Sequence, residues 1–323
     1  MTITRRQALA AAAALLAGSF TVPASAQSFP SKPIRFVVAF APGGPTDVLA
    51  RGVADKLSAV LKQPVLVENK PGASGNLAAA EVAKADPDGH TVFMGIDTTF
   101  TINPAIYPSM PFAENALKPL MVIGSSSSLL AVHADQKVKT LQEFVAKAKA
   151  QRLTFSSAGN GSPGHLAAEI FSEAIGAEVT HVPYRGNAPA VMAVLSGEVQ
   201  AGILAAPGLV PHVRSGKVIA LAVTSRQRSA VLPDVPTTAE AGLGTLLFEV
   251  LQVAMLPAAT PAPVVETWRK ALGDALDDPA LRSKLAQIDL IVEKQTGAAV
   301  DERFASTHTR YARIVKATGM KAE

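Results

Sequence analysis

The sequence predicts an α/β fold in which one chain contains two α/β units. Short apolar runs alternate with segments of helical periodicity over residues 32–99, the pattern of parallel strands joined by crossover helices. The same alternation restarts at residue 120 and continues to residue 204. From residue 264 onward the periodicity predicts mainly helices.

In the first unit, turn residues separate the elements. Residues 32–40 are β-branched and apolar between two prolines, which predicts a buried strand. Residues 41–45 form a glycine- and proline-rich loop, after which Thr46 or Asp47 is placed to cap a helix. The other predicted elements are, in order, a helix ending at 62, a strand at 65–68, a glycine-rich loop at 69–76, a helix at 77–85, a turn at 86–89 and a strand at 91–95.

The same patterns predict the elements of the second unit and of the C-terminal third. The predicted elements are, in order, strands 120–124 and 129–133, helix 141–150, strand 153–156, a glycine-rich loop at 159–164, a helix ending at 175, strand 178–183, helix 188–195 and strand 200–204. Three helices, at 264–276, 279–288 and 301–318, are predicted to end the chain.

The N-terminus has the pattern of a signal peptide. Arg5 and Arg6 precede an uncharged apolar stretch at 8–20, and a small-x-small cleavage site ends at Ala26. We therefore expect residues 1–26 to be removed and the mature chain to start at Gln27 in the periplasm. The paired arginines also fit a twin-arginine signal, and the sequence does not separate the two export routes. No later stretch is long and apolar enough to span a membrane, so we expect the mature chain to be soluble.

Composition excludes several classes of function. The 30 Lys and Arg against 26 Asp and Glu give a net charge of +4, and Arg5 and Arg6 supply two of these charges. No basic run interleaves with aromatic residues, so we expect no nucleic-acid partner. The chain has no cysteine, which excludes disulfides and thiolate catalysis. The six histidines show no HxxxH or HExxH pairing, so we expect no metal. We expect a monomer.

Three times a predicted strand runs into a glycine-rich turn and then a helix, at 41–47, 69–77 and 157–165. The first N–H groups of a helix lack partners within the helix, and the helix dipole favours a negative charge there. Such ends are suited to a carboxylate or phosphate, although glycine at these places also serves tight turns. Several hydroxyl side chains lie beside these loops: Thr46, Ser74, Thr98, Thr99 and Ser162. Together they favour a cleft for a polar ligand.

Arg185 is the single residue that most favours an anionic ligand. It follows a predicted strand, between Tyr184 and a glycine, where its guanidinium can bind a carboxylate through two hydrogen bonds. The alternative is an exposed arginine in a turn. The sequence alone leaves both open.

Two enzymatic functions are alternatives, and the first is a dinucleotide-dependent enzyme. Gly159, Gly161 and Gly164 match the dinucleotide fingerprint, but Tyr184 and Arg185 stand where the acidic residue belongs. Arg185 would suit a 2′-phosphate, which keeps an NADP-dependent enzyme as an alternative.

A serine hydrolase is the second alternative. Ser74 and Ser162 each lie in a near match to Gly-x-Ser-x-Gly in which one glycine is replaced by asparagine. His165 follows Ser162 by three residues on one helix start, which is poor geometry for a serine and its base. We expect no catalytic residues and no cofactor.

In combination, eight segments resemble the tricarboxylate transport receptor (TctC-like, or Bug) family over essentially the whole mature length. They are residues 30–47 (PSKPIRFVVAFAPGGPTD), 67–75 (VENKPGASG), 86–91 (DPDGHT), 103–108 (NPAIYP), 159–162 (GNGS) with His165, 181–186 (HVPYRG), 215–224 (SGKVIALAVT) and 232–242 (LPDVPTTAEAG).

The resemblance implies a type II periplasmic-binding-protein fold, in which two crossover strands join two α/β lobes around a ligand cleft. Lobe 1 is expected to comprise residues 27–126 and 226–323, and lobe 2 residues 127–225. The crossovers are expected near 124–130 and 221–226.

The resemblance also implies a ligand held largely by backbone groups and water. Position by position, it implies these ligand-binding residues: Phe40, Pro42, Gly43, Gly44, Asp47, Gly72, Ala73, Ser74, Gly75, Thr98, Thr99, Ser156, Ser157, Gly161, Ser162, His165, Tyr184 and Arg185. The chain departs from the family at 200–206 (QAGILAA), which lacks an acidic residue, and at 97–99 (DTT), where serines are common. A more apolar second-lobe wall favours an aliphatic or aromatic acid over citrate.

The implied function is a periplasmic solute-binding receptor that closes its lobes on a small carboxylate. The implied partners are the membrane subunits of a tripartite transporter. A sensor kinase is the alternative partner, in a receptor that only signals.

Overall fold

The computed structural model describes residues 29–322 and shows an α/β protein with ten strands. The predicted signal peptide, residues 1–26, lies outside the described residues. Within them, no helix is long and apolar enough to cross a membrane. The strands are β1 (Ile34–Val38), β2 (Val65–Asn69), β3 (Thr91–Ile96), β4 (Leu117–His133), β5 (Thr154–Ser157), β6 (Thr180–Pro183), β7 (Ala201–Ala205), β8 (Val218–Val223), β9 (Glu249–Pro257) and β10 (Leu290–Gln295).

Helices connect and cover these strands. They are α1 (Pro45–Leu61), α2 (Asn76–Ala83), α3 (Thr98–Thr101), α4 (Asn103–Ile106), α5 (Leu141–Ala150), α6 (Pro163–Ile175), α7 (Asn187–Ser196), α8 (Ala206–Arg214), α9 (Ala262–Leu276), α10 (Pro279–Gln287) and α11 (Ala298–Thr318). One 3-10 turn, Ala73–Gly75, precedes α2, and another, Ala134–Gln136, follows β4.

The sheet has the order β2-β1-β3-β9-β4-β7-β5-β6, and β8 and β10 pair additionally with β4. In lobe 1, β1 pairs in parallel with β2 and β3. In lobe 2, β5 pairs in parallel with β6 and β7. Because each of these strands leads into a loop and a helix, the loops of each lobe gather at the carboxyl edge of its parallel strands.

The long strand β4 passes from one lobe to the other. Its residues up to Ser127 pair with β9 and β10. From Ser128 onward it pairs with β7 and β8. The prediction of two separate strands at 120–124 and 129–133 is therefore wrong, because both belong to one continuous strand that changes partners in its middle.

The second passage between the lobes follows β8. The Thr224 N–H donates to the Ser128 carbonyl, and the Phe248 N–H donates to the Thr224 carbonyl, just before β9 begins. The two chain passages therefore lie side by side at Ser128. The sequence did not predict strands β9 and β10, and it did not predict helix α8.

Each lobe has its own core. In lobe 1, Trp268 of α9 is fully buried against α1 and the central strands. Lobe 2 buries the apolar faces of α7 and α8 on β4, β7 and β8. A third cluster joins residues of both lobes, because Ile102 and Ile106 share it with Phe155 and Phe171. The C-terminal helix α11 adds to this cluster by packing on α3 and α6.

Candidate functional site

The first loop of lobe 1 joins β1 to α1 and contains a buried carboxylate. Asp47 is 3% exposed, and its oxygens accept hydrogen bonds from the Gly43 N–H (2.9 Å) and the Asn69 amide (2.9 Å). Arg51 donates to both oxygens, at 3.1 Å each. Burial raises the pKa of Asp47, but the bonds from Arg51, Gly43 and Asn69 outweigh this and hold the pKa below its ordinary value. Asp47 thus shapes the loop.

The expectation that Thr46 or Asp47 caps α1 is wrong. The N-cap residue is Gly44, and no side chain caps the helix. The Thr46 hydroxyl instead donates to Gln252 of β9 at 2.8 Å. Pro42 and Gly43 are exposed at the mouth of the loop, and Phe40 is partly buried against two core clusters. The predicted residues of this loop therefore lie together, with the N–H groups at the start of α1 left uncapped by side chains.

The second loop of lobe 1 has an unusual backbone. Four consecutive residues have positive φ: Gly72 (141°), Ala73 (46°), Ser74 (51°) and Gly75 (93°). For Ala73 and Ser74 this conformation is unfavourable by about 1–3 kcal/mol each, and it persists only where surrounding contacts hold it. A Cβ on Gly75 would lie 2.4 Å from the Thr99 hydroxyl oxygen, so only glycine fits there.

The side chains after β3 hold this loop in place. The Ser74 carbonyl accepts hydrogen bonds from the Thr99 hydroxyl (2.9 Å) and from the Asn103 amide (3.1 Å). Thr98 is fully buried, and its hydroxyl has no partner among the described residues. Asn103 was not predicted as a site residue, although the motif at 103–108 pointed to its segment. Its role is to fix the shape of the Ser74 loop.

In lobe 2, the loop after β5 is organised by two histidines. The Ser157 hydroxyl lies 2.5 Å from His181 Nε2 and 3.0 Å from the Gly159 carbonyl, and it accepts from the Gly159 N–H at 3.1 Å. The Gly161 N–H donates to His165 Nδ1 at 3.1 Å. The sequence did not predict His181 as a site residue, although His181 lies in the motif at 181–186.

The Ser162 hydroxyl is also engaged within the loop. It caps α6 by accepting from the His165 N–H at 3.4 Å. Ser156 is fully buried, and its hydroxyl donates to the Ala190 carbonyl of α7 at 3.0 Å. These hydroxyls are positioned to shape lobe 2, and the His165 nitrogen nearest the loop accepts a backbone N–H. This geometry gives Ser162 no base.

Tyr184 and Arg185 follow β6. The Tyr184 hydroxyl donates to Glu198 at 2.7 Å, and burial together with that carboxylate raises the pKa of Tyr184 to about 12. Arg185 is exposed, and within residues 29–322 its guanidinium has no hydrogen bond or ion pair. Of the two residues, only Arg185 therefore presents an unpaired polar group.

The loops of the two lobes touch. The Ser74 hydroxyl donates to the carbonyl of Asn160 at 3.1 Å, across a separation of 86 residues. Next to this bond, a Cβ on Gly161 would lie 2.3 Å from Ile106 Cδ1. The sequence-predicted segments 72–75 and 159–162 are thus brought together at the boundary between the lobes.

Helix N-termini without side-chain caps occur in both lobes. In lobe 1, α1 and α2 begin after Gly44 and Gly75, and neither has a side-chain cap. In lobe 2, α7 begins after Gly186, and α8 begins after Ala205, again without one. Each follows the carboxyl end of a parallel strand, so uncapped N–H groups lie at that edge in both lobes. This arrangement suits a ligand with negative charge at two points.

Comparison with known proteins agrees with this architecture. The model of the tripartite tricarboxylate transporter family receptor matches residues 49–320. The chain belongs to this family. The protein BugT of Bordetella pertussis is 32% identical over 303 residues, which cover 93% of each chain. The predicted family is therefore confirmed.

Solved structures support the fold as well. The chain is similar to Rpa4515 of R. palustris with adipate (TM-score 0.85, 29% identity) and to the periplasmic binding protein BugD (TM-score 0.82, 29% identity). Each alignment covers 91% of this chain and 100% of the other. MatC from Rhodopseudomonas palustris with bound malate has a TM-score of 0.80 and 31% identity, over 89% of this chain and 100% of MatC. The periplasmic-binding-protein fold is confirmed, and the chain is a solute-binding receptor of this family.

Proposed function

We propose that this receptor captures a small dicarboxylate by closing its two lobes on it in the periplasm. The observation that carries the proposal is the meeting of the Ser74 loop with the Asn160 carbonyl, at the boundary where both lobes present uncapped helix N-termini. A carboxylate on each lobe would join the lobes through one ligand. Binding then favours closure because the closed arrangement provides contacts that the open one lacks.

The charge of the site supports a ligand with two carboxylates. The exposed Arg185 lies one residue before the N-cap of α7, so a cation and a helix N-terminus lie together on lobe 2. Lobe 1 offers the N-termini of α1 and α2. The relatives Rpa4515 and MatC hold adipate and malate, both of which are dicarboxylates.

Lobe boundaries follow from this proposal. We take lobe 1 as residues 27–126 and 226–323 and lobe 2 as residues 127–225. Strand β4 changes partners at Ser127 and Ser128, and the second passage returns beside it at Thr224. Rotation about these adjacent passages would separate the Ser74 loop from Asn160 and open the cleft.

Isothermal titration calorimetry of the purified protein with adipate, malate, citrate and hexanoate tests the ligand class. We expect the dicarboxylates to bind and hexanoate to bind weakly or not at all. Arg185→Ala should weaken dicarboxylate binding by about 1.5–3 kcal/mol, because a hydrogen bond to a charged group is lost. Arg152→Ala is the matched control, since Arg152 precedes β5 at the opposite edge of lobe 2 and pairs with Glu178.

Two results would contradict this proposal. One is that none of the carboxylates binds. The other is that Arg152→Ala weakens binding as much as Arg185→Ala, which would indicate a general charge effect.

Delivery to the membrane subunits of a tripartite transporter is the second part of the proposal, and a sensor kinase is the alternative partner. Uptake of radiolabelled dicarboxylate into cells that express the receptor with those subunits, compared with cells lacking either component, decides between them. Fractionation of the same cells tests periplasmic location, and substitution of Arg5 and Arg6 by lysine tests twin-arginine dependence.

A further inference from the structure

Two histidines of lobe 2 stack face to face beside loop 159–162. His165 lies in the first turn of α6 and His181 in β6, and their ring centroids are 3.7 Å apart with planes inclined by 7°. His165 is 7% exposed. Burial and the neighbouring His165 lower the pKa of His181 to about 3, so its ring is neutral at neutral pH. The charged group next to the pair is Glu169, whose Oε1 lies 3.6 Å from His165 Nε2.

The hydrogen bonds assign a role to each ring. Because the Gly161 N–H donates to His165 Nδ1, this nitrogen carries no proton. His181 Nε2 contacts the Ser157 hydroxyl, which in turn receives the Gly159 N–H. One ring thus holds Gly161 directly, and the other holds Gly159 through Ser157.

Both anchor points lie in the loop that touches lobe 1. Asn160, whose carbonyl accepts the Ser74 hydroxyl, stands between the two anchored glycines. Gly159 and Gly161 both have positive φ, at 128° and 73°. A short segment of this kind needs outside contacts to keep one shape, and the two imidazoles supply them.

We propose that His165 and His181 form one positioning unit that holds loop 159–162 in the shape that meets the Ser74 loop when the lobes close. The inference rests on the proposed capture of a carboxylate between the lobes. It assigns His165 to the support of the loop instead of to direct ligand contact.

Two substitutions of His165 distinguish the effect of losing its hydrogen bond from the effect of losing the volume of its ring. His165→Leu removes the acceptor of the Gly161 N–H, whereas His165→Asn retains an acceptor near the Nδ1 position. Ser157→Ala is a smaller change that releases Gly159 and leaves both rings in place. His212→Leu, in α8, is the control for loss of a lobe 2 histidine outside the pair.

Affinity for adipate and malate, measured by calorimetry, is the first readout. His165→Leu should lower the affinity roughly 5- to 100-fold, as expected when a buried N–H loses its partner. His165→Asn should restore most of it, and Ser157→Ala should also weaken binding. In a double-mutant cycle, Ser74→Ala should weaken the wild type but add little to His165→Leu, because the contact is already disturbed.

The distance between the lobes is the second readout, and it needs no ligand. The chain lacks cysteine, so Val60→Cys and Met192→Cys, both at exposed positions, can carry one spin label on each lobe. We expect His165→Leu and Ser157→Ala to shift the distance distribution of the unliganded protein to longer values. His212→Leu should leave it unchanged.

The outcomes distinguish this inference from the proposed function. If no dicarboxylate binds the wild type, the proposed function fails, and the spin-label distances alone decide the role of the pair. Identical distance distributions for wild type, His165→Leu and Ser157→Ala would overturn the inference. Full additivity of Ser74→Ala and His165→Leu would do the same, since the loop would then reach Ser74 without the histidines.

Discussion

Replacing Asp97 with asparagine should remove the loss of stability that this one buried carboxyl contributes between pH 5 and pH 8. Asp97 follows β3 and is 1% exposed. One carboxyl oxygen accepts the Leu251 N–H at 3.0 Å, and the other has no partner among the described residues. Burial raises the pKa of Asp97 to about 7, against the opposing effects of the Leu251 N–H and of Arg303.

The sign and size of the effect of Asp97 on stability follow from proton linkage. The folded protein keeps the proton of Asp97 up to about pH 7, whereas the unfolded chain loses it near the ordinary value of 3.8. Stability from this group is therefore greatest below pH 4, falls as the pH rises from 4 to 7, and then levels off. Between pH 5 and pH 8 the wild type should lose about 2–3 kcal/mol through this residue.

Urea unfolding at pH 5 and pH 8 measures the effect. Trp268 is the single tryptophan and is fully buried, so its fluorescence reports unfolding. The change in unfolding free energy between the two pH values is compared between wild type and Asp97→Asn. The histidines contribute equally to this change in both proteins, so the difference between the two proteins reports Asp97. Parallel changes in both proteins would refute the reasoning.

A second carboxylate provides the control. Asp47 has a lowered pKa, so its stabilisation is fully present above its unfolded pKa and is constant between pH 5 and pH 8. Asp47→Asn should therefore destabilise the protein equally at both pH values. A pH-dependent effect of Asp47→Asn would show that its bonds to Arg51 and Asn69 do not hold in solution.

Four further substitutions test the packing and the loops. Gly75→Ala should lower the free energy of unfolding in urea by about 1–3 kcal/mol, because the φ of Gly75 is 93° and the new Cβ would clash with Thr99. Gly273→Ala is the matched control. Because Gly273 of α9 has space for a Cβ, this substitution should raise the free energy of unfolding by about 0.5–1 kcal/mol. Thr140→Ala removes the side-chain cap of α5 and should lower stability by about 1 kcal/mol. Trp268→Phe loses a hydrogen bond to a buried carbonyl and should lower the melting temperature measured by calorimetry; an unchanged value would contradict the role of that bond.

Local sequence patterns were sufficient to predict the elements that follow one another in the order strand, loop, helix. The predicted helix 141–150 has the bounds of α5, and predicted strands correspond to β1, β2 and β3 within a few residues. In these segments the apolar periodicity and the turn residues agree, so a short window of sequence contains the information.

Elements defined by distant partners were not predicted. Strand β9 lies between β3 and β4 and is antiparallel to both, so its existence depends on pairing with residues more than a hundred positions away. Helix α8 contains Pro211, and a proline inside a segment predicts a break in the helix when only the neighbouring residues are considered. The continuous course of β4 likewise depends on partners from both lobes, which no segment of its own sequence specifies.

For the proposed site, sequence patterns indicated the loops but did not separate the groups that shape these loops from the groups that are free to bind a ligand. Asp47, Ser157, Ser162 and Tyr184 were all expected to contact the ligand, yet each polar group already has a partner in the protein. A hydroxyl or carboxylate in a glycine-rich loop fits either role, and only the three-dimensional contacts distinguish them. We propose that the N–H groups of uncapped helix ends and the guanidinium of Arg185 bind the ligand. We therefore expect substitutions at the four engaged residues to change stability together with affinity, and Arg185→Ala to change affinity alone.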